Sequence, residues 1–222
     1  GYDIKGAAGY KNMHHDIGGA ATVLGIIKLA EEKNLPVELV GILPIVKNML
    51  GSRAVLPGTI LSAYGGKTVK IVNTDCEGRL LMAEAIAFAD KKIKSDAIIT
   101  VATLSDLTDH GPDFLKVVTT NTAMEKKARI AERLSVEKMI LYPPIEHFRH
   151  IDDMHVGENS DLVNDIWGCY HTSPLVFMYN FFTSEPVNWI YVDISAIFED
   201  WALNYGAGPG FGLKLAGIDR MN

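Results

Sequence analysis

Asp75 and Glu77 stand on one short segment, Asn73-Thr74-Asp75-Cys76-Glu77-Gly78-Arg79-Leu80, with Arg79 beside them. Two carboxylates on a tight turn can hold a divalent cation and can bridge two. A neighbouring guanidinium can hold an anion or a developing oxyanion. The plainer reading is a capping box, with Thr74 as the cap and Glu77 reaching back to it. By pattern alone the two readings stand about even, and they can coexist.

A second candidate is Lys5 to Gly19, KGAAGYKNMHHDIGG. Asp16 precedes Gly18-Gly19 and the first helix-like run. Taken alone it reads better as an N-cap, with the glycines allowing close packing. His14 and His15 are adjacent, so they do not usually face one metal together, and no H-E-x-x-H pattern is present.

Other clusters carry less. Gly65-Gly66-Lys67-Thr68 resembles the end of a phosphate loop, but Leu61 stands where the pattern needs glycine and a strand is expected next. Gly206 to Gly212 fails G-x-G-x-x-G at Phe211 and reads as a turn. His147, His150, Asp152, Asp153 and His155 lack a fixed ligand spacing and read as an exposed loop. Ser105, Asp106 and His110 show no G-x-S-x-G.

The elements that must position these groups follow from periodicity. Residues 18–34, 79–93, 123–134 and 171–183 are expected to be helices. Residues 37–46, 68–73, 96–104, 137–142 and 188–195 are expected to be strands, and 37–46 is apolar enough for a fully buried one. Their alternation predicts an α/β fold: one domain over residues 1–222, with a mixed, mostly parallel central sheet sandwiched between helices. In such sheets functional groups gather at the carboxyl ends of strands, here after Asn73, Leu104 and Ile194.

Bulk properties agree with a globular protein. Of 222 residues, 48% are hydrophobic and 22% charged, enough to bury a core without disulfides. The formal net charge of -6 argues against nucleic-acid binding and against an anionic membrane surface. Cys76 and Cys169 form no CxxC pair, which suggests a reducing, cytoplasmic setting. No apolar run approaches the ~20 residues of a membrane span. The start, GYDIKGAAGY, does not read as a signal peptide.

NTDCEGRL resembles the signature NTDAEGRL of the leucyl aminopeptidase (cytosol aminopeptidase, M17) family, with Cys76 in place of alanine. Gly1 to Lys5 is similar to its G-x-S-I-K segment, and Asp16 to Ala21 to its D-M-G-G-A-A helix start. Pro57-Gly58, Gly66 to Val69, and Val101 to Leu104 resemble its K-P-G-D, G-K-T-V and A-T-L-T-G stretches. The steps of 11 residues from Lys5 to Asp16 and 59 from Asp16 to Asp75 also agree. The resemblance is close over residues 1–105 and fainter beyond, where Asp161 to Asn164, Trp189 to Ser195 and Gly208 to Leu215 are its anchors.

The resemblance implies an aminopeptidase catalytic domain that releases leucine-like N-terminal residues from peptides. It implies two divalent metal ions, Zn²⁺ or Mn²⁺, held by Asp75, a bridging Glu77, and Asp16. Lys5 corresponds to the catalytic lysine that polarises the scissile carbonyl. Arg79 corresponds to the arginine that holds a bicarbonate acting as general base. Met13, Asn73, Thr103 and Leu104 correspond to substrate-binding positions. The implied partners are a peptide with a free N-terminus and further copies of the chain in a hexamer.

The chain also departs from the pattern. The family places a lysine and an aspartate ligand just before the segment matching Gly1, and an N-terminal domain before that; this chain starts after both. Asp106 replaces a glycine, and Lys47 to Arg53 replaces E-N-M-P-S-G-K. The alternative is therefore a non-catalytic assembly subunit with an incomplete metal site.

Overall fold

The computed structural model describes residues 1–3, 5–6, 13–104, 114–135, 138–166, 172–183 and 187–195. In chain order the helices are α1 (Gly18–Glu32), α2 (Glu77–Phe88), α3 (Thr122–Leu134) and α4 (Ser173–Tyr179). The strands are β1 (Ile60–Ser62), β2 (Thr68–Lys70), β3 (Ile98–Ala102), β4 (Phe114–Thr119), β5 (Lys138–Leu141), β6 (Leu162–Val163) and β7 (Trp189–Asp193). Tight 3₁₀ turns cover Met13–Ile17 and Ile145–His155. The α/β class stands. The chain divides into two compact units that interleave along the sequence.

The first unit comprises Gly1–Met13, Pro44–Ile98 and Ile145–Val187. Its sheet has the order β1-β2-β6, with β1 antiparallel and β6 parallel to β2. A hairpin turn joins β1 to β2: Ala63 N–H donates to Lys67 O at 2.8 Å, and Gly66 takes φ 91°, where a side chain would be strained. The Gly65-Gly66-Lys67-Thr68 stretch is therefore a hairpin feeding a strand, as its context predicted. Asp161 pins β2 to the stretch before β6, accepting from Thr68 N–H at 2.7 Å and Thr68 Oγ1 at 2.8 Å. Helix α2 packs on α4, and Ala83, Ile86, Ala87, Leu175, Phe177 and Met178 are almost completely buried. The Phe177 and Phe181 rings pack at 5.3 Å.

The second unit comprises His14–Leu43, Ile99–Pro144 and Asn188–Asn222. Its sheet has the order β3-β7-β4-β5; β4 runs parallel to β5 and antiparallel to β7. Leu115, Val117, Met139, Val192 and Ile194 from the sheet and Ala128 from α3 form its core. Burying each large side chain contributes about 1.5–3 kcal/mol. Gly19 of α1 lies so close to β3 that a Cβ there would sit 2.5 Å from the Val101 carbonyl oxygen, so the glycine does permit close packing.

Two local expectations fail. Residues 38–50 form no strand, and Val37, Leu39, Val40, Ile45 and Val46 are exposed. A strand needs a hydrogen-bonded neighbour as well as an apolar run, and among the described residues no ladder includes this segment. Conversely, β4 escaped notice because Lys116 interrupts its apolar pattern. Lys116 is buried and stands directly opposite Asp193 in the β4–β7 register. Gly206 to Gly212 and the Ser105, Asp106 and His110 group lie outside the described residues.

Candidate active site

The turn 73–76 leaves β2 and enters α2, as the strand-end rule requires. Asn164 shapes it from β6. Its side-chain oxygen accepts from Val72 N–H at 2.8 Å, and its Nδ2 donates to Asn73 O at 2.6 Å. Asn73 Oδ1 accepts from Asp75 N–H at 2.9 Å, bending the chain so that Asp75 and Glu77 lead into the helix.

The capping box does not form. The residue before α2 is Cys76, and no side chain caps the helix. Thr74 is committed elsewhere: its hydroxyl accepts from Asp3 N–H at 2.7 Å, and its own N–H donates to Asp3 Oδ2 at 2.5 Å. These bonds hold the Asp3 carboxyl below the usual carboxylate range. They also clip the segment carrying Lys5 onto the segment carrying Asp75. Lys5 Nζ pairs with Asp75 Oδ1. Both side chains are about one-third exposed, 32% and 38%, so opening this pair costs little.

Glu77 is the unusual carboxylate. Its Oε1 accepts from Asn48 Nδ2 at 3.0 Å. Its Oε2 is buried and has no hydrogen-bond partner among the described residues. Burial raises the pKa of the group; a bond from its own backbone N–H and the Asn48 bond oppose the rise, the neighbouring Asp75 charge adds to it, and Lys5 opposes it. A desolvated carboxylate oxygen without a donor costs free energy unless a cation satisfies it. Glu77 therefore fits a metal ligand. Among the described residues no group of three or more His, Cys, Asp and Glu side chains gathers into a metal cage.

Arg79 lies in the first turn of α2 and is buried, at 6% exposure. Its Nη1 donates to the Asn164 carbonyl at 3.0 Å, Asp165 Oδ1 at 3.1 Å and Ser173 Oγ at 3.0 Å. Asp165 Oδ2 in turn accepts from Asn73 Nδ2 at 3.0 Å, so one carboxylate ties the arginine to the turn. Arg79 Nε is buried and has no hydrogen-bond partner among the described residues. Cys76 is half-buried, and burial pushes its thiol up to about 12, with Asp165 adding and Arg79 opposing.

In the second unit Asp16 sits in the 3₁₀ turn before α1. It does not cap the helix: Ile17 holds that position without a side-chain bond. Asp16 Oδ1 instead accepts from Thr103 Oγ1 at 3.2 Å, which joins the turn to the end of β3, where Leu104 follows. The His14 and His15 rings pack on each other at 4.2 Å, with His14 exposed. Met13 is half-buried.

The structure thus groups Lys5, Asn73, Asp75, Glu77 and Arg79 in the first unit, and Asp16, Thr103 and Leu104 in the second. Sequence reasoning passed over Asp3, Asp165 and Ser173 and gave Asn48 no role. His155 corrects an expectation outright: it belongs to the cluster expected to be an exposed loop, but it is fully buried at the end of its 3₁₀ turn. The anchor Asp161 to Asn164 pointed toward Asn164 and Asp165; the absence of ligand spacing hid His155.

Comparison with known proteins decides the family. The model of the cytosol aminopeptidase family catalytic domain matches residues 1–216. The chain belongs to the cytosol aminopeptidase family. A probable cytosol aminopeptidase of Rhodococcus opacus is 33% identical over 197 residues, 88% of this chain and 38% of that protein. One from Cenarchaeum symbiosum is 32% identical over 227 residues, 97% and 45% of the respective chains. The chain therefore spans less than half the length of these cytosol aminopeptidases. Among solved structures, the Coxiella burnetii cytosol aminopeptidase superposes with a TM-score of 0.83 at 26% identity, covering 99% of this chain and 49% of that one. The bottromycin maturation enzyme BotP in complex with Mn gives 0.82 at 25% identity, covering 91% and 46%.

Proposed function

We propose that this family member is a metal-dependent aminopeptidase acting on the free N-terminus of peptides, with leucine-like residues preferred. The observation that carries the reading is the buried Glu77 Oε2, without a hydrogen-bond partner among the described residues, beside Asp75, which pairs with Lys5 of the N-terminal segment. An assembly subunit has no reason to keep a desolvated carboxylate oxygen without a donor. Family membership over residues 1–216 supports the reaction class, and the solved relative in complex with Mn supports a divalent cation.

Asp75 and Glu77 would hold the metal, and the resemblance assigns Asp16 to it as well. Two bound divalent cations supply a water activated near neutral pH and a site for the substrate amine. Lys5, released from its exposed pair with Asp75, places an ammonium against the scissile carbonyl oxygen. Arg79, held through Nη1, would offer Nε to a bicarbonate, which when bound would supply the general base. The resemblance assigns Met13, Asn73, Thr103 and Leu104 to peptide binding and the chain to one catalytic domain. The naming of the relatives as cytosol aminopeptidases supports a cytoplasmic setting. A homohexamer rests on the resemblance alone.

The test is hydrolysis of a leucine chromogenic amide by the full-length chain with added Mn²⁺ or Zn²⁺. Activity should vanish on exhaustive chelation and return with metal. Turnover that survives chelation would sink the proposal.

A further inference from the structure

His155 is fully buried at the end of its 3₁₀ turn and touches nothing that the proposed reaction uses directly. Its Nδ1 lies 3.0 Å from the Val163 carbonyl oxygen. A carbonyl only accepts, so Nδ1 carries the ring proton. Nε2 is then an acceptor, and it faces Ser173 Oγ at 3.3 Å. The serine has a single proton, which goes to His155. Its oxygen lone pairs therefore turn to the donor that reaches them among the described residues, Arg79 Nη1 at 3.0 Å. The bonds run in one direction, from Arg79 through Ser173 and His155 to the Val163 carbonyl.

We propose that His155 is a positioning residue for Arg79. By taking the Ser173 proton it fixes the serine as an acceptor, and so fixes the plane of the guanidinium. Without His155 the hydroxyl would rotate toward the carbonyl and carboxylate oxygens of Asn164 and Asp165 and compete with Arg79 for them. The arrangement requires a neutral imidazole. Burial keeps the His155 pKa below its ordinary value; the backbone bond to Val163 opposes this, the Arg79 charge lowers it further, and the Ser173 backbone and the Asp152 carboxylate oppose it. Asp152 already accepts from Asn180 Nδ2 at 2.9 Å. The Phe177 ring, 5.7 Å away, covers the imidazole with apolar surface.

The inference rests on the reading of Arg79 as the anion-holding group, so its first test does not use activity. In the full-length chain, ¹⁵N spectra of the imidazole at pH 7 should show His155 neutral with the proton on Nδ1. The Arg79 Nε–H resonance should be sharp in the parent and in His155→Gln, whose amide oxygen can still accept from Ser173. It should broaden in His155→Asn, which can keep only the Val163 bond, and in Ser173→Ala. A proton on Nε2, or an Arg79 signal unchanged in all variants, would overturn the proposal. In the Mn²⁺-loaded enzyme, His155→Asn should lower kcat about tenfold with KM nearly unchanged, and His155→Gln should recover most of it. Equal losses in both variants, tracking their melting temperatures, would mean a structural role only and would also overturn it. An inactive parent would overturn the aminopeptidase reading instead, while the spectra still decide the role of His155.

Discussion

Two helices in this molecule begin with the same kind of polar residues and use them in opposite ways. Helix α3 opens as stability alone would dictate. Asn121 has extended backbone, φ -152° and ψ 167°, and its side chain accepts from Met124 N–H at 3.0 Å. Helix α2 opens on Cys76 at φ -99° and ψ 36°, with no side-chain cap. Thr74, Asp75 and Glu77 surround it, and none caps it. Thr74 serves Asp3, Asp75 serves Lys5, and one oxygen of Glu77 serves nothing. A helix start that declines available capping groups marks a place where other demands outrank local stability.

The contrast can be broken by exchanging what each start loses. Glu77→Ala should produce the largest effect, a fall in kcat/KM of about a hundredfold or more with Mn²⁺ present, because metal binding supplies several kcal/mol to the barrier. Its metal-free melting temperature should not fall, since the variant removes an unsatisfied buried oxygen. A matching loss of stability would place Glu77 in the architecture instead. Asn121→Ala should do the reverse: about 1 kcal/mol of stability lost in urea unfolding, with kcat unchanged. Asp3→Ala sits between them, freeing Thr74 and loosening Lys5 against Asp75; kcat should fall several-fold, and Thr74→Ala should reproduce the loss. Cys76→Ser should be the smallest, within about 0.5 kcal/mol of the parent. The backbone at Cys76, rather than its side chain, withholds the cap, so a serine there gains nothing. A clear stabilisation by Cys76→Ser would refute that account.

A pH series sharpens the same comparison from the Arg79 side. His155 has its folded pKa below the ordinary 6.5, so between those values the unfolded chain binds more protons than the folded one. Stability attributable to neutral His155 is fully present above 6.5 and is lost as pH falls toward the folded value. His155→Gln should therefore show a flatter decline than the parent below pH 6.5 in thermal melts. Parallel curves would mean the imidazole titrates freely.

Much of the site was legible before any coordinates. The turn 73–80, the step to Lys5 and Asp16, and the Thr103-Leu104 pair at a strand end all belong to continuous motifs, and a motif survives in one dimension. What was not legible depended on partners far along the chain. That Thr74 does not cap the helix was decided by Asp3, 71 positions away. The placement of Arg79 was settled by Asp165 and Ser173, 86 and 94 positions away.

The same division runs through the fold. Periodicity pointed to helices over 18–34, 79–93 and 123–134, observed at 18–32, 77–88 and 122–134, and to the strands that follow the last two, because a helix stripe and a strand alternation are local properties of order. The sequence also determined the supply of chemistry: carboxylates at 16, 75 and 77, a lysine at 5 and an arginine at 79. Tertiary structure decided which groups are spent and which are free. Asp161 is consumed in binding Thr68, while Glu77 keeps an oxygen unbound. It also decided that Lys116 and His155 are interior and that the apolar run 37–46 is not a strand. Burial and hydrogen-bond satisfaction are properties of neighbours in space, and residue type along the chain does not encode those neighbours.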